Sequence, residues 1–296
     1  MTPAIDRRGV LKLGGALAAG TTLGLLPATD AYAQCSNPTV RPEVRELSAD
    51  QWNRFANAVK TLYNGGVENS HYNKTVAVYY NNPAERAGVA AFLPWLRHYL
   101  YLFELDLRRV DPSVRLPYWD WTKDSESPGQ PPVVSASYFG GTRRPGDGTV
   151  VDGTFAHWKC TIPRSHTLRR RGKSVPALPS PTDVENLLNS HRGSYDQFRV
   201  ALEQTFNTVL QAIGGKDGDL SSTAAPNDPL FWVIACFTDL LWWEWQKRNP
   251  NLANTYSSSV NATLPPFNVT VRSTFSTTSG SYCYRYKRWP ARGDSG

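Results

Sequence analysis

Residue types that commonly bind metals are scarce in this chain, whose 296 residues include five histidines and four cysteines. No two cysteines have the CxxC spacing of a metal site. Long apolar runs are also missing: the one at residues 13–27 is too short to span a bilayer, so we expect no membrane anchor. The sequence shows no internal repeat, which argues against a repeat architecture.

The chain also lacks a strong excess of either charge, since its formal net charge is only +7. Its densest basic cluster, from Arg169 to Lys173, has no aromatic residues interleaved with it. Sites for nucleic acids combine basic residues with aromatic ones. We therefore interpret this cluster as a solvated loop and expect no nucleic-acid partner.

Aromatic residues are abundant, with 10 Trp and 14 Tyr in a chain that is 40% hydrophobic. This composition and length predict one domain with a full, aromatic core. The 22 glycines and 22 prolines predict long ordered loops between the regular elements.

The first 33 residues have the pattern of an export signal. A basic start with Arg7 and Arg8 precedes the apolar run, and residues 31–33 (AYA) form a small-residue cleavage site. The paired arginines resemble a twin-arginine signal, and an ordinary secretory signal is the alternative. We expect a secreted or periplasmic protein with one domain at residues 34–288 and a tail at 289–296.

An oxidising compartment outside the cytoplasm permits disulfides. Cys35, Cys160 and Cys283 lie in loop-like sequence, so we predict one disulfide among them and leave the pairing open. Cys236 lies in an apolar segment and is predicted to stay a free, buried thiol.

Four segments have the apolar spacing of helices that form a bundle. Ser48 opens the first with a capping box, Ser-Ala-Asp-Gln. The other three are Phe92–Arg109, Tyr195–Ile213 and Asn227–Gln246. Alternating apolar residues at 267–275 indicate edge strands. The predicted fold class is mainly α, a four-helix bundle with long loops and a few short edge strands.

The last of these segments, NDPLFWVIACFTDLLWWEWQ, is so apolar that it can be stable only as a buried core helix. Asn227 or Asp228 can cap it, and Pro229 fits its first helical position.

Asp120 lies among aromatic residues in the segment Tyr118–Trp121. A buried carboxylate needs hydrogen-bond donors. We predict that the indole N–H groups of Trp119 and Trp121, together with nearby backbone, supply them.

Several blocks of sequence occur in an order that points to a known family. They are FLPW at 92–95 with Phe103 and Glu104, LPYWDW at 116–121, IGG at 213–215, NDP at 227–229 with Asp239, and a Tyr-x-Tyr near the end. Together they resemble the tyrosinase family, the type-3 copper proteins. The resemblance covers most of the predicted mature chain and implies a tyrosinase-like four-helix bundle that binds two copper ions, each through three histidines.

The histidines that this resemblance implies are almost all missing. The six positions that match copper ligands are His71, Ala87, Leu96, Phe206, Leu210 and Ile234. His98 lies two residues from Leu96 and thus off the inward face of its helix. Five histidines in the whole chain cannot fill a site for six. We therefore expect no copper cofactor. We also expect apolar side chains to fill the former metal pocket.

Two further residues match the family's substrate region. Asn207 directly follows the position of Phe206, where an asparagine of the family helps a glutamate to orient a water near the phenol, and Glu203 is the candidate for that glutamate. The alternative is that both lie on a helix surface. The arginine that usually follows the residue matched by Asp239 is replaced by Leu240.

The leading hypothesis is an exported pseudoenzyme that binds a phenolic or other aromatic ligand, or a protein partner. The alternative is a copper-independent enzyme, a cyclase or isomerase of an aromatic secondary metabolite, with His71, Asn207 and Glu203 as proton-transfer candidates. An active phenol or catechol oxidase is disfavoured by the missing histidines. A structural role in the cell envelope is the fourth hypothesis.

Overall fold

The computed structural model describes residues 35–126, 131–141, 143–172, 178–287 and 289. The predicted export signal at residues 1–33 lies outside them, as does most of the predicted tail.

Helices dominate this part of the chain. They are α1 (Ala49–Tyr63), α2 (His71–Asn81), α3 (Pro83–Arg86), α4 (Phe92–Val110), α5 (Pro181–Ser190), α6 (Tyr195–Gly214), α7 (Leu230–Arg248) and α8 (Leu252–Thr255). The strands are β1 (Thr39–Arg41), β2 (Lys159–Cys160), β3 (His166–Thr167), β4 (Thr263–Leu264), β5 (Val269–Thr270) and β6 (Tyr284–Tyr286). Strands β1 and β6 pair in parallel, whereas β2–β3 and β4–β5 are antiparallel. No helix in the described ranges is long and apolar enough to cross a membrane.

The core is a bundle in which α4 and α7 pack on each other and are flanked by α1, α2 and α6. All four predicted helices are present, and α7 is buried almost all round, as its composition predicts. The capping box of α1 is confirmed, because Ser48 and Gln51 exchange both hydrogen bonds. The sequence analysis missed α2.

The start of α7 differs from the prediction. The helix begins at Leu230, and Pro229 precedes it as the cap. The Asp228 carboxylate still accepts a hydrogen bond from the Leu230 N–H at 2.9 Å, while the Asn227 side chain bonds to Ile162 and Asp219 instead.

The interpretation of the Arg169–Lys173 cluster as a solvated loop is wrong for Arg170. Its side chain is about 1% exposed, and its guanidinium donates to both carboxylate oxygens of Asp228 at 2.6 and 2.7 Å. A buried charge needs such a partner. Asp228 therefore joins the long loop before α5 to the first turn of α7.

Of the donors predicted for Asp120, nearby backbone is confirmed, whereas the indoles of Trp119 and Trp121 do not donate to it. The backbone and hydroxyl of Thr122 donate to its Oδ1, and the indole of Trp289 donates to its Oδ2 at 3.0 Å. Trp119 donates to Asp124 instead, and within the described ranges the buried Trp121 indole N–H has no partner. Trp289, the first residue of the predicted tail, thus contacts the segment after α4.

The two ends of the domain are joined covalently. Cys35 and Cys283 form a disulfide with their Cα atoms 5.5 Å apart, which confirms one pair among the three candidates. Cys160 and Cys236 are free and buried, the latter as predicted.

A buried ion network ties the first and last strands to α4 and α7. Its centre is Asp239, which accepts from Arg97 Nε at 2.6 Å, from Arg41 at 3.3 Å, and from the hydroxyls of Tyr284 and Tyr286 at 2.7 Å each. Burial alone would raise the pKa of Asp239, but the charges of Arg97 and Arg41 outweigh it and hold that pKa below its ordinary value.

A second carboxylate completes this network. Glu104 on α4 accepts from Arg41 Nε and Nη2 at 2.9 and 2.7 Å, and from the Leu116 N–H at 2.9 Å. Two buried carboxylates therefore face two buried guanidinium groups, and the charges balance.

The variant Asp239→Asn is expected to lower the free energy of unfolding by about 3–5 kcal/mol, because it leaves a buried guanidinium without its charge partner. Denaturant unfolding measures this. The control is Asp50→Asn, which breaks an exposed pair with Arg54 and should leave the midpoint almost unchanged. Equal losses in both variants would contradict the central role of Asp239.

Candidate functional site

Four of the six positions matched to copper ligands lie inside the bundle. Leu96 on α4, Phe206 and Leu210 on α6, and Ile234 on α7 are each at most 5% exposed. The Phe206 ring packs against aromatic neighbours on α4 and α7, with its centroid 5.9 Å from that of Phe92 and 5.9 Å from that of Phe231. Ring contacts of Phe206 therefore connect α6 to α4 and to α7.

The other two positions lie nearer the surface. Ala87 is exposed just after α3. His71 is the first residue of α2, its side chain is 51% exposed, and its Nε2 lies 2.6 Å from Asp106 Oδ2 on α4. Asp106 also pairs with Arg109. His71 is therefore held in a surface ion cluster.

A small cavity of about 230 Å³ lies beside the bundle, between the α2–α3 region and α6. Its lining includes Ala87, Leu210 and Asn207, so the structure brings three of the predicted site residues together. His71 is not among the lining residues. The side chain of Asn207 is exposed on the α6 surface.

Glu203 lies one turn before Asn207 on α6. Its Oε1 accepts from the Gly88 N–H at 2.7 Å, and its Oε2 accepts from Arg199 at 3.0 Å. No hydrogen bond between Glu203 and Asn207 is present in the described part of the chain. Glu203 instead fixes the segment that follows Ala87.

Arg86 is the residue of this cavity that the sequence analysis missed. It is buried, with its guanidinium carbon 3.4 Å from the centre of the Tyr79 ring. It donates to two backbone carbonyls, Tyr79 O at 2.9 Å and Thr223 O at 3.3 Å. No carboxylate pairs with it among the residues described. Nothing in the local sequence distinguishes Arg86 from an exposed arginine, because Thr223 is 137 positions away.

Electrostatics around the cavity involve one further group. Burial raises the pKa of Tyr79, the positive charge of Arg86 lowers it, and the negative charge of Glu203 raises it. Tyr79 therefore stays a neutral phenol at neutral pH and offers Arg86 an uncharged ring face.

His98 lies outside these positions, as the sequence analysis predicts. Its Nδ1 is 2.7 Å from the Tyr282 hydroxyl, and its ring packs on Phe267. Burial lowers the pKa of His98 to about 4, so the ring is neutral near pH 7.

Comparison with known proteins decides the family. The family model described as the common central domain of tyrosinase matches residues 49–248. The chain belongs to the tyrosinase family.

Two tyrosinases illustrate the relationship. The tyrosinase of Streptomyces glaucescens is 34% identical over 239 residues, which is 72% of this chain and 84% of the relative. The tyrosinase of Streptomyces antibioticus is 33% identical over 237 residues, 72% of this chain and 85% of the relative.

A solved structure of a polyphenol oxidase from Thermothelomyces thermophila superposes with a TM-score of 0.72. The superposition covers 85% of this chain and 89% of the polyphenol oxidase chain, at 22% sequence identity. At this identity the match supports the fold alone. The predicted tyrosinase-like, mainly helical fold is confirmed.

The burial of His98 predicts a pH dependence of stability. The pKa of His98 is about 4 in the folded protein, below its ordinary value of 6.5. Between these two pH values the unfolded chain therefore binds a proton at His98, whereas the folded protein does not. The free energy of unfolding should therefore fall as the pH falls from 6.5 to 4. The variant His98→Gln keeps an amide as a partner for Tyr282 but does not titrate. Its free energy of unfolding should therefore fall less steeply with falling pH, by a slope that corresponds to at most one proton per molecule.

Urea unfolding at several pH values measures the slope. Tyr282→Phe serves as the control, because it removes the Tyr282 hydroxyl but leaves the buried imidazole of His98 able to titrate. Identical slopes in the wild type and in His98→Gln would show that His98 does not contribute.

Proposed function

We propose that this protein is a copper-free pseudoenzyme of the tyrosinase family, exported through its first 33 residues, that binds a small aromatic ligand without oxidising it. The observation that carries the proposal is the burial of Leu96, Phe206, Leu210 and Ile234 at the matched ligand positions. A type-3 copper centre uses imidazole nitrogens, whereas these side chains have no lone pair to donate. The donor set does not fit two copper ions.

The energetics of these side chains support the same proposal. Each large apolar side chain contributes about 1.5–3 kcal/mol when it is fully buried. An imidazole in the same place, without a metal or another partner, would cost about 1–3 kcal/mol. Apolar residues at these positions therefore stabilise a bundle that has no metal to hold.

The chemistry of the cavity indicates the class of ligand. A guanidinium that is buried without a carboxylate is costly, and an anionic ligand would offset that cost. The cavity of about 230 Å³ has room for one aromatic ring. Arg86 lines it together with Leu210 and Asn207, one apolar and one amide side chain. An aromatic carboxylate such as 4-hydroxybenzoate fits this combination.

A second candidate function, the copper-independent cyclase or isomerase, draws support from Asn207 in the same cavity. Its proton-transfer group would be Glu203 rather than His71, because His71 lies in the surface cluster with Asp106. Turnover of an aromatic carboxylate that is abolished by Glu203→Gln would favour it over the pseudoenzyme.

Copper loading tests the main proposal. After incubation with copper and removal of the excess, we expect no magnetically coupled pair of copper ions and no oxygen uptake on a monophenol or a catechol. Electron paramagnetic resonance, metal analysis and an oxygen electrode measure this, with the Streptomyces glaucescens tyrosinase as the positive control. Two coupled copper ions per chain, or oxygen uptake on catechol, would overturn the proposal.

Arg86 is expected to set the affinity for the aromatic carboxylate. Calorimetric titration with 4-hydroxybenzoate should show binding that weakens roughly 10- to 100-fold in Arg86→Gln, because a hydrogen bond to a charged group is lost. Arg86→Lys should retain part of the affinity, since it keeps the charge.

Phenol is the matched neutral probe for this titration and should bind the wild type weakly. Arg54→Gln, a change at a distant exposed arginine, should bind 4-hydroxybenzoate as the wild type does. Equal affinity of the wild type and Arg86→Gln would refute the assignment.

A further inference from the structure

Three potential metal ligands meet outside the bundle, at a place that the family's copper chemistry does not use. Cys160 on β2, His166 on β3 and Asp219 in the turn after α6 bring one ligand atom each to within 4.8 Å of one another. Cys160 and His166 are direct partners across the β2–β3 pair, so their side chains share one face. We propose that these residues form a site for one zinc-type divalent ion.

His166 is oriented in the way that metal-ligating histidines are. Its Nδ1 lies 2.8 Å from the backbone oxygen of Arg164, a contact that assigns the Nδ1 proton and leaves Nε2 as the ligand atom. Nε2 lies 2.8 Å from Asp219 Oδ1. A metal ion at this point would replace the proton between the two groups.

An unsatisfied polar atom lies beside the same cluster. Asn227 is about 1% exposed, and its Oδ1 has no hydrogen-bond partner among the described residues. Its Nδ2 donates to Asp219 Oδ1 at 3.1 Å, and its backbone oxygen is 4.0 Å from Cys160 Sγ. Buried polar atoms are rarely left without a partner, and an ion or its bound water would provide one. The Asn227 Oδ1 atom is thus a candidate for the fourth ligand.

The charges of the ligands suit a divalent cation. A thiolate and a carboxylate supply two negative charges, and the neutral imidazole supplies none. The nearby Asp228 is already neutralised by Arg170. Arg169 and Arg164 line the adjoining cavity, and their positive charges repel a cation. This repulsion favours an ion held by direct bonds to the ligand atoms over a loosely bound one.

Solvent reaches the cluster through that cavity. It has a volume of about 580 Å³, and His166, Asp219 and Asn227 line it, whereas Cys160 lies deeper. Zinc bonds of about 2.0–2.3 Å place tetrahedral ligand atoms roughly 3.3–3.8 Å apart, so the ion would have to separate His166 Nε2 from Asp219 Oδ1, which are 2.8 Å apart. The bound ion would then fix the β2–β3 pair to the turn between α6 and α7.

Zinc chloride titrated into the chelator-treated full chain tests the site. We expect one zinc ion per chain by calorimetry and a rise in the melting temperature with zinc. Cobalt(II) should give the charge-transfer absorption of a metal-bound thiolate. Cys160→Ser should lower the zinc affinity at least tenfold and abolish this absorption, whereas Cys236→Ala, at the other free cysteine, should leave both unchanged.

His166→Gln provides a second variant in case Cys160→Ser does not fold, because His166 is partly exposed. It too should weaken zinc binding at least tenfold. Less than stoichiometric zinc, or wild-type affinity in His166→Gln, would overturn the proposal and leave an ion pair between His166 and Asp219. These outcomes do not depend on copper binding or phenol oxidation, so this site and the proposed function can fail separately.

Discussion

The charge balance around Asp239 is the interaction on which the rest of the domain depends. It holds β1, β6, α4 and α7 through buried side chains, and none of its members is one of the positions matched to copper ligands. On α4 the residues of the two regions are neighbours, since Leu96 lies in the apolar interior and Arg97 bonds to Asp239. Helices α4 and α7 thus contribute side chains to two separate buried regions, an apolar one and an ionic one. The apolar one can change its chemistry while the ionic one maintains the fold.

Under the proposed function, this separation explains how a tyrosinase scaffold can persist without ligands for copper. Metal bonds would tie α4, α6 and α7 together, and in this chain ring contacts of Phe206 with Phe92 and Phe231 connect the same three helices. Apolar packing is less directional than coordination, so it tolerates many substitutions of similar volume. The cavity beside Ala87 and Leu210 is open to solvent, and Arg86 is the charged residue that lines it.

Periodicity in the sequence was enough to predict the four bundle helices, because their buried faces repeat every 3.6 residues. It missed α2, whose buried residues Tyr72, Val76 and Tyr79 are interspersed with polar ones. The partners of Arg170 and Trp289 lie 58 and 169 positions away, and no local pattern reveals such distant contacts. Arg86 could not be predicted as a site residue for the same reason, because its partner Thr223 lies 137 positions away. Positions with a family counterpart could be named from the sequence, whereas contacts between residues far apart in the chain could not.

The parallel pairing of β1 with β6 has a consequence for biosynthesis. Arg41 emerges from the ribosome early, and its partner Tyr286 is 245 positions later. The hydrogen bonds around Arg41 and Asp239 can be completed only after translation has reached the last strand, since the hydroxyl groups of Tyr284 and Tyr286 do not exist before then. A chain that is cut short near its end would keep every bundle helix and still lack the contacts that close the domain.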